Sequence, residues 1–151
     1  MHPYNELGEG LKAFLNAEDY SQDFTAIYQP MPAMVDADTL GDELRVVTTG
    51  GEWGRDITNR AADSEDDVTM SIGIMKKLPP GVNWASDAGT TWQKTMLDFV
   101  AEVIESLDIN SGDDFGNFRA LTATNPTPVS PDALTKNVFQ SIIQITFKRL
   151  N

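Results

Sequence analysis

The amino-acid sequence predicts a single α+β domain in which an N-terminal helix and one long helix pack on one face of a sheet of four to five strands. Residues 91–107 place apolar side chains at helical spacing along one side only, which is typical of a helix that packs on a sheet. Residues 68–76 and 136–150 instead alternate apolar and polar side chains, which is the period of a half-buried strand. With 151 residues, the chain is most simply one domain spanning 1–151.

The first third of the chain contains one helix and two strands. Residues 4–17 have helical apolar spacing, although Gly8 and Gly10 each weaken a helix by about 1 kcal/mol relative to alanine. A short strand is predicted over residues 23–29, where two nearby prolines end it. A second strand is predicted over residues 44–49, and we expect the two glycines that follow to end it.

Residues 50–67 form a long polar segment that we call the arm. Segments this long without secondary structure are uncommon inside a domain and tend to be functional or disordered. Trp53 and Ile57 are unusual there, since each could either fold back onto the core or become buried in a neighbouring chain. Arg55 and Arg60 are isolated positive charges, which could form weak surface ion pairs or bridge to the acidic face of a neighbouring subunit.

The remaining elements alternate strands, turns and one long helix. The strand over residues 68–76 leads into the pair Lys76 and Lys77, which together with Arg60 flank it. After the loop that contains Trp84, the long helix is predicted to begin at Thr91. The later elements are a Gly/Asp-rich turn region at 110–117, a short strand at 118–124, a Pro-rich extended connector at 125–131, one helical turn at 132–134 and the last strand.

Composition excludes several classes of function. A net charge of −12 with only 11 scattered Lys and Arg argues against a protein that binds nucleic acid through its phosphates. With no cysteine and a single histidine, His2, which we expect to be a solvated terminal residue, a thiolate nucleophile, a disulfide or a His-based triad is not expected. The acidic run at 63–67 lacks the spacing of a calcium loop. We therefore expect no catalytic, cofactor or metal site, no signal peptide and no membrane span.

The order of these elements resembles the tail terminator (tail completion) proteins of tailed bacteriophages, the lambda-like group. The resemblance covers residues 40–150, with residues 1–39 compatible, and consists of patterns of residue type without a catalytic signature. Its pieces are the strand Leu-Arg-Val-Val-Thr, an arm with an arginine near its middle, the strand Val-Thr-Met-Ser-Ile-Gly-Ile-Met-Lys-Lys, the helix Met-Leu-Asp-Phe-Val-Ala-Glu-Val-Ile-Glu-Ser-Leu and the strand Phe-Gln-Ser-Ile-Ile-Gln-Ile-Thr-Phe-Lys.

The resemblance implies a mixed, mostly antiparallel sheet with helices on one face, and a structural protein of the virion. Such proteins form a ring, usually of six copies, that caps the tail tube and joins the tail to the neck and the head connector. The expected partners are copies of this chain, the tail tube protein and head–tail connector proteins, with the tape measure protein as a further candidate. DNA would pass through the lumen without specific binding, and assembly would take place in the host cytoplasm.

Within this interpretation, the arm supplies contacts between subunits or with the tube. We expect the contact residues to include both members of the lysine pair and four arm residues, so that deleting residues 52–63 leaves a folded monomer that no longer forms rings: Trp53, Arg55, Ile57, Arg60, Lys76 and Lys77. The acidic surface fits a DNA conduit, because a negative lumen repels phosphates.

Three alternatives remain open from the sequence. The chain could be another neck or tail component, such as a head–tail adaptor, a head completion protein or a tail tube subunit. It could be a small enzyme or ligand-binding domain that uses carboxylates. It could also be an inhibitor whose acidic surface mimics DNA.

Overall fold

The computed structural model describes residues 1–30, 41–55, 65–109, 115 and 117–150. It contains three helices and five strands in these ranges, in the order expected from the periodicities. The helices are α1 (Pro3–Ala17), α2 (Asp87–Ile109) and α3 (Pro131–Thr135). The strands are β1 (Thr25–Tyr28), β2 (Arg45–Arg55), β3 (Glu65–Lys77), β4 (Arg119–Thr127) and β5 (Val138–Leu150).

The five strands form one mixed sheet in the order β1-β2-β3-β5-β4. Only β1 and β2 run parallel, and the other neighbouring pairs are antiparallel. The central strands β3 and β5 pair along their whole length, from Glu65 opposite Leu150 to Lys77 opposite Val138. The predicted α+β class, with a mostly antiparallel sheet of four to five strands, is confirmed.

Both long helices pack on one face of the sheet, which we call the helix face. The alternate residues of β3 from Val68 to Ile74 and of β5 from Phe139 to Phe147 point to this face and are buried, and they join α1 and α2 in one apolar core. The remaining residues of β3 and β5 point to the opposite, open face. None of the described helices is both long and apolar enough to cross a membrane.

Glycines allow α1 to approach the sheet closely. A Cβ at Gly8 would lie 2.2 Å from the ring of Tyr28, and a Cβ at Gly50 would lie 2.3 Å from the ring of Tyr4. The tyrosine rings therefore occupy the space that larger residues would need. Gly8 lowers the helix propensity of α1, and the close packing against the sheet offsets that loss. The sequence alone did not indicate this packing.

The predicted arm is shorter than the sequence suggested, because both flanking strands extend into it. β2 continues through the two glycines at 50 and 51 and ends at Arg55, and β3 begins at Glu65. A register shift between Gly50 and Glu52 accommodates the glycines as a bulge without ending the strand. Residues 56–64 lie outside the described residues.

The predicted Pro-rich connector also begins later than expected. β4 extends to Thr127 and includes Pro126, which an edge strand tolerates because one side of its backbone has no ladder to complete. The side-chain amide of Asn125 donates to the Ile142 carbonyl at 2.7 Å and to the Ser141 hydroxyl at 3.1 Å. These bonds hold the irregular end of β4 on β5. The long helix likewise begins earlier than predicted, at Asp87.

Candidate functional site

The described part of the arm ends in a row of three charged residues on neighbouring strands. The register places Arg55 of β2 opposite Asp66 of β3, and Asp66 opposite Arg149 of β5. Since directly opposed residues on adjacent strands point to the same face, the two guanidinium groups lie on either side of one carboxylate. We call these three residues, with Glu6, Trp53 and His2 around them, the arm base.

Asp66 accepts two hydrogen bonds from each of the two arginines. Arg55 donates from Nε to Oδ1 at 2.6 Å and from Nη2 to Oδ2 at 2.9 Å. Arg149 donates to Oδ2 from Nε at 3.2 Å and from Nη2 at 2.9 Å. The Asp66 side chain is 0% exposed, so its charge depends on these donors for the solvation that water would otherwise provide.

The ion-pair network continues from β5 to the first helix. Nη1 of Arg149 donates to Glu6 of α1 at 3.1 Å, and its guanidinium carbon lies 4.3 Å from the centre of the Phe118 ring. Only 14% of the Arg149 side chain is exposed. Arg55 and Glu6 are partly exposed, at 43% and 28%, whereas Asp66 and Arg149 are largely buried. The buried charges of Asp66 and Arg149 are tolerated because they are paired and hydrogen-bonded to each other.

Trp53 lies at the outer edge of this cluster, facing solvent. Its indole Nε1 donates to Asp66 Oδ1 at 3.4 Å, and its ring meets the His2 ring edge-on with centroids 4.9 Å apart. The Arg55 guanidinium lies 5.8 Å from the indole centroid. The residue nevertheless remains 40% exposed. The indole is therefore held in place by polar and aromatic contacts while a large part of its surface stays available.

His2 contributes more than the solvated end that the sequence suggested. Its Nδ1 accepts a hydrogen bond from the Tyr4 backbone amide at 3.1 Å and caps α1. Its ring also packs edge-on against Tyr4, with centroids 4.8 Å apart. The N-terminus of α1 and the end of β2 are joined through this exposed histidine.

Electrostatics at the arm base favour the charged forms of its exposed cations. The hydrogen bonds to Asp66, followed by the charge of that carboxylate, raise the pKa of Arg55. On the open face of the same end, a hydrogen bond and the charge of Glu65 raise the pKa of Lys148, with its ammonium 3.1 Å from the carboxylate. Both arginine and lysine remain cations throughout the physiological range.

The six residues predicted to form contacts are not all together. Trp53 and Arg55 lie at the arm base, whereas Lys76 and Lys77 end β3 at its opposite end, about 34 Å away at 3.4 Å per residue. Ile57 and Arg60 lie outside the described residues. The lysine pair therefore belongs to a different part of the surface from the described end of the arm.

The lysine end of β3 carries its own exposed tryptophan. Leu78 and the segment 79–84 line an open hollow with Asn137, and Trp84 in it is 41% exposed. Its backbone carbonyl accepts a hydrogen bond from Gln93 Nε2 at 2.9 Å, and its indole makes no hydrogen bond to another described side chain. The two exposed tryptophans thus mark opposite ends of the sheet.

Sequence reasoning found Trp53 and Arg55 but missed Asp66 and Arg149, which connect the strands of the arm base. Asp66 appeared to be one member of an acidic run, yet it has the same parity as Val68 and Met70 and so points to the helix face. Arg149 likewise has the parity of Phe147. This parity was a usable signal, whereas the pairing of β3 with β5 could not be read from either segment alone.

The arrangement is suited to binding, because it holds an exposed indole in place beside paired charges. The polar groups of the arm base satisfy one another. Among the described residues, no group of three or more histidine or carboxylate side chains is placed to hold a metal ion. No protein-family model matches the chain, and no curated protein matches it.

Proposed function

We propose that this chain is a structural protein of a phage virion, a tail terminator that closes into a ring on the end of the tail tube and joins it to the neck. The residue patterns over 40–150 support this proposal by their resemblance to that group. The mixed sheet with both long helices on one face agrees with the fold that the resemblance implies. The ring would have about six copies, with the tube protein and connector proteins as neighbours.

The observation that carries the proposal is the exposed, fixed indole at the arm base. Tryptophan is enriched among residues that dominate binding energy, and an anchor already held in place loses little conformational freedom on binding. Trp53 meets both conditions, since it is 40% exposed and bonded to Asp66. All five residues from Gly51 to Arg55 are exposed, so a neighbouring subunit has access to this half of β2.

A conduit for DNA must let the DNA pass without binding it, and the net charge of the chain accounts for this requirement. At −12 per subunit, a ring of this protein repels phosphates and lets DNA pass without holding it. The same charge opposes association of the subunits themselves. A defined contact with buried apolar area is therefore needed to hold the ring, and the arm base offers one.

The first experiment is light scattering on the purified protein, with negative-stain images of the same fraction. We expect closed rings of about six copies. Open-ended tubes would identify a tail tube subunit instead, because a heterologous contact that does not close generates a helix. A monomer that also fails to bind the ends of tail tubes would contradict the proposal.

The two exposed tryptophans provide a matched pair of variants for the contact. Trp53→Ala should abolish rings while leaving the fold intact, because Asp66 keeps both of its arginines. Trp84→Ala removes a comparably exposed indole from the opposite end of the sheet and should leave rings unchanged. Rings that persist in Trp53→Ala, or that disappear equally in both variants, would rule out the arm base as the contact.

The structure also changes the design of an arm deletion. Removing residues 52–63 would delete Arg55 and take one partner from buried Asp66. Replacing residues 57–64 with Asn-Gly instead keeps the ion pair and joins β2 to β3 by a two-residue hairpin turn. This variant tests Ile57 and Arg60 directly. Loss of rings in a folded protein would support their role as contacts.

A further inference from the structure

The open face of the sheet has three cross-strand rows with no charged residue. Each row takes one residue from β3, one from β5 and one from β4, and we call these nine residues the neutral face. The rows are Thr69-Thr146-Thr122, Ser71-Gln144-Thr124 and Gly73-Ile142-Thr127. On a chain with 23 acidic residues among 151, nine neighbouring positions without one carboxylate set this surface apart.

The neutral face has clear boundaries. Toward the arm, the next row is charged and contains Asp67, Lys148 and Arg119. Toward β2, the same side of the sheet is closed, since Val47 is only 4% exposed. Within the rows every residue is partly or fully exposed. The face is thus an uncharged patch on a chain whose net charge is −12.

The glycine at the corner of this face beside β2 is not required by the packing of the described residues. Among the described residues, a Cβ on Gly73 would meet the Val47 carbonyl oxygen alone, at 3.9 Å, which is ordinary van der Waals contact. By contrast, Gly8 and Gly50 are required by the rings of Tyr28 and Tyr4. Glycine inside a strand is unfavourable, and where the fold does not need it, it often marks the close approach of another backbone or ligand.

We propose that the neutral face is a self-association surface, on which a second copy of this chain packs sheet against sheet around Gly73, Ile142 and Gln144. Hydroxyl and amide groups both donate and accept hydrogen bonds, so the face is complementary to itself. A carboxylate-rich surface is not. Two copies that each carry −12 also meet here with the least repulsion.

The size of the face predicts a weak pair. The five residues of β3 from Thr69 to Gly73 span about 17 Å, and three strands with their side chains span about 20 Å, which gives about 340 Å² per copy. A standard stable interface needs about 800 Å² per partner. We therefore expect a dissociation constant of about 1–100 μM, in the range where dimers form and separate with concentration.

Sedimentation of the Trp53→Ala protein tests this pairing without interference from rings, and the wild type serves if it forms none. Concentration-dependent dimers are the expected result. The pairing is independent of the terminator proposal. Rings without face pairing would support the terminator proposal and contradict the pairing, and pairing without rings would do the reverse. A protein that stays monomeric up to about 1 mM would overturn the pairing.

Gly73→Thr in the same background separates pairing from stability, because the two effects have opposite signs. The melting temperature should rise by about 1–4 °C, since a β-branched residue suits a strand better than glycine. Dimer affinity should fall at least about tenfold, because the new side chain occupies space that the partner needs. Gly54→Thr, at an exposed glycine of β2 whose added Cβ would meet no described atom within 4 Å, is the control and should leave pairing intact. Unchanged pairing in Gly73→Thr would overturn the proposal.

A charge introduced at the centre of the face provides a second test, in which pairing is first lost and then restored. Gln144 is exposed between Ser71 and Thr124. Gln144→Glu and Gln144→Lys should each lose pairing when alone, whereas an equimolar mixture should recover it as a heterodimer. Thr95→Glu, on the exposed side of α2, is the control. A mixture that fails to recover, or single variants that pair normally, would exclude the face-to-face arrangement.

Discussion

The helix face and the open face are built from alternate residues of the same strands, and they differ in where charge is placed. Along β3, the helix-face residues from Val68 to Ile74 are apolar and buried, and charges occur only at the two ends of this series. Asp66 is fully buried between two arginines, and Lys76 at the other end is partly exposed. On the open face the neutral rows carry no charge, and the charged row beside them is exposed to solvent. Where a charge on the helix face is fully buried, at Asp66, hydrogen bonds from two arginines compensate it.

This difference shows that residue type alone does not decide which polar residues matter to the fold. Asp66 and Asp67 are neighbours in sequence and chemically identical, yet one is buried among donors and the other is exposed. Surface charges contribute little, whereas a buried carboxylate that loses its partners, or leaves them unpaired, is costly. Substitutions at matched positions on the two faces should therefore differ in size and, for glycine, in sign.

The largest effect is expected for Asp66→Ala. Removing the carboxylate leaves Arg149, which is 14% exposed, with Glu6 as its remaining ion-pair partner, and the free energy of unfolding should fall by about 3 kcal/mol. Asp67→Ala, one residue away on the open face, should change it by less than about 0.5 kcal/mol. Thermal unfolding of the two variants gives the comparison. Equal effects would show that the arm-base ion pairs do not stabilise the fold.

A smaller effect, with opposite signs, is expected for one glycine on each face. Gly50→Ala places a Cβ 2.3 Å from the Tyr4 ring, and displacing that ring should destabilise the protein by about 1–3 kcal/mol. Gly73→Ala meets no such atom and should stabilise it by about 0.4–1 kcal/mol, because alanine restricts the unfolded chain. Chemical denaturation of both variants measures the pair. Stabilisation by Gly50→Ala would contradict the packing of α1 against the sheet.

The sequence predicted the two faces better than it predicted the ends of the strands. The alternation from Val68 to Ile74 correctly assigned inward and outward residues, because it depends only on the period of a strand. Glycine and proline were read as ends of strands, yet β2 passes Gly50 and β4 includes Pro126. Pairing with neighbouring strands overrides these local signals where a bulge or an edge position accommodates them.

The arm base was predictable only in part. Trp53 and Arg55 attracted attention because an indole and a lone guanidinium are unusual in a polar segment. Their anchor did not, because Asp66 lies in an acidic run that resembles solvent-exposed sequence. That Asp66 lies between Arg55 and Arg149 follows from the order β2-β3-β5, and strand order is a property of the tertiary fold that periodicity does not contain.

The smallest effect is expected in the free energy of unfolding at alkaline pH, and it arises from a tyrosine on the helix side of the sheet. The Tyr20 ring packs against Phe24 and Phe99, and its hydroxyl lies 2.9 Å from the Ser106 hydroxyl. Burial raises the pKa of Tyr20, and the charges of Glu18 and Glu102 add to the shift, although the Ser106 bond opposes it. Burial also raises the pKa of Tyr4 and Tyr28. All three tyrosines of the chain therefore hold their protons more tightly in the folded protein than in the unfolded one.

This shift makes stability fall as the pH rises above 10, where the unfolded tyrosines ionise first. The contribution is complete below pH 10 and is lost as the pH rises through the higher pKa of the folded state. Tyr20→Phe removes one of the three groups, so its unfolding free energy should decline less steeply above pH 10 than that of the wild type. It should also be lower by about 1 kcal/mol at pH 7, through the lost hydrogen bond. Identical alkaline slopes in denaturant titrations at pH 9 to 11 would show that Tyr20 ionises as freely in the folded protein as in the unfolded chain, and that its ring is not held against α2 as described.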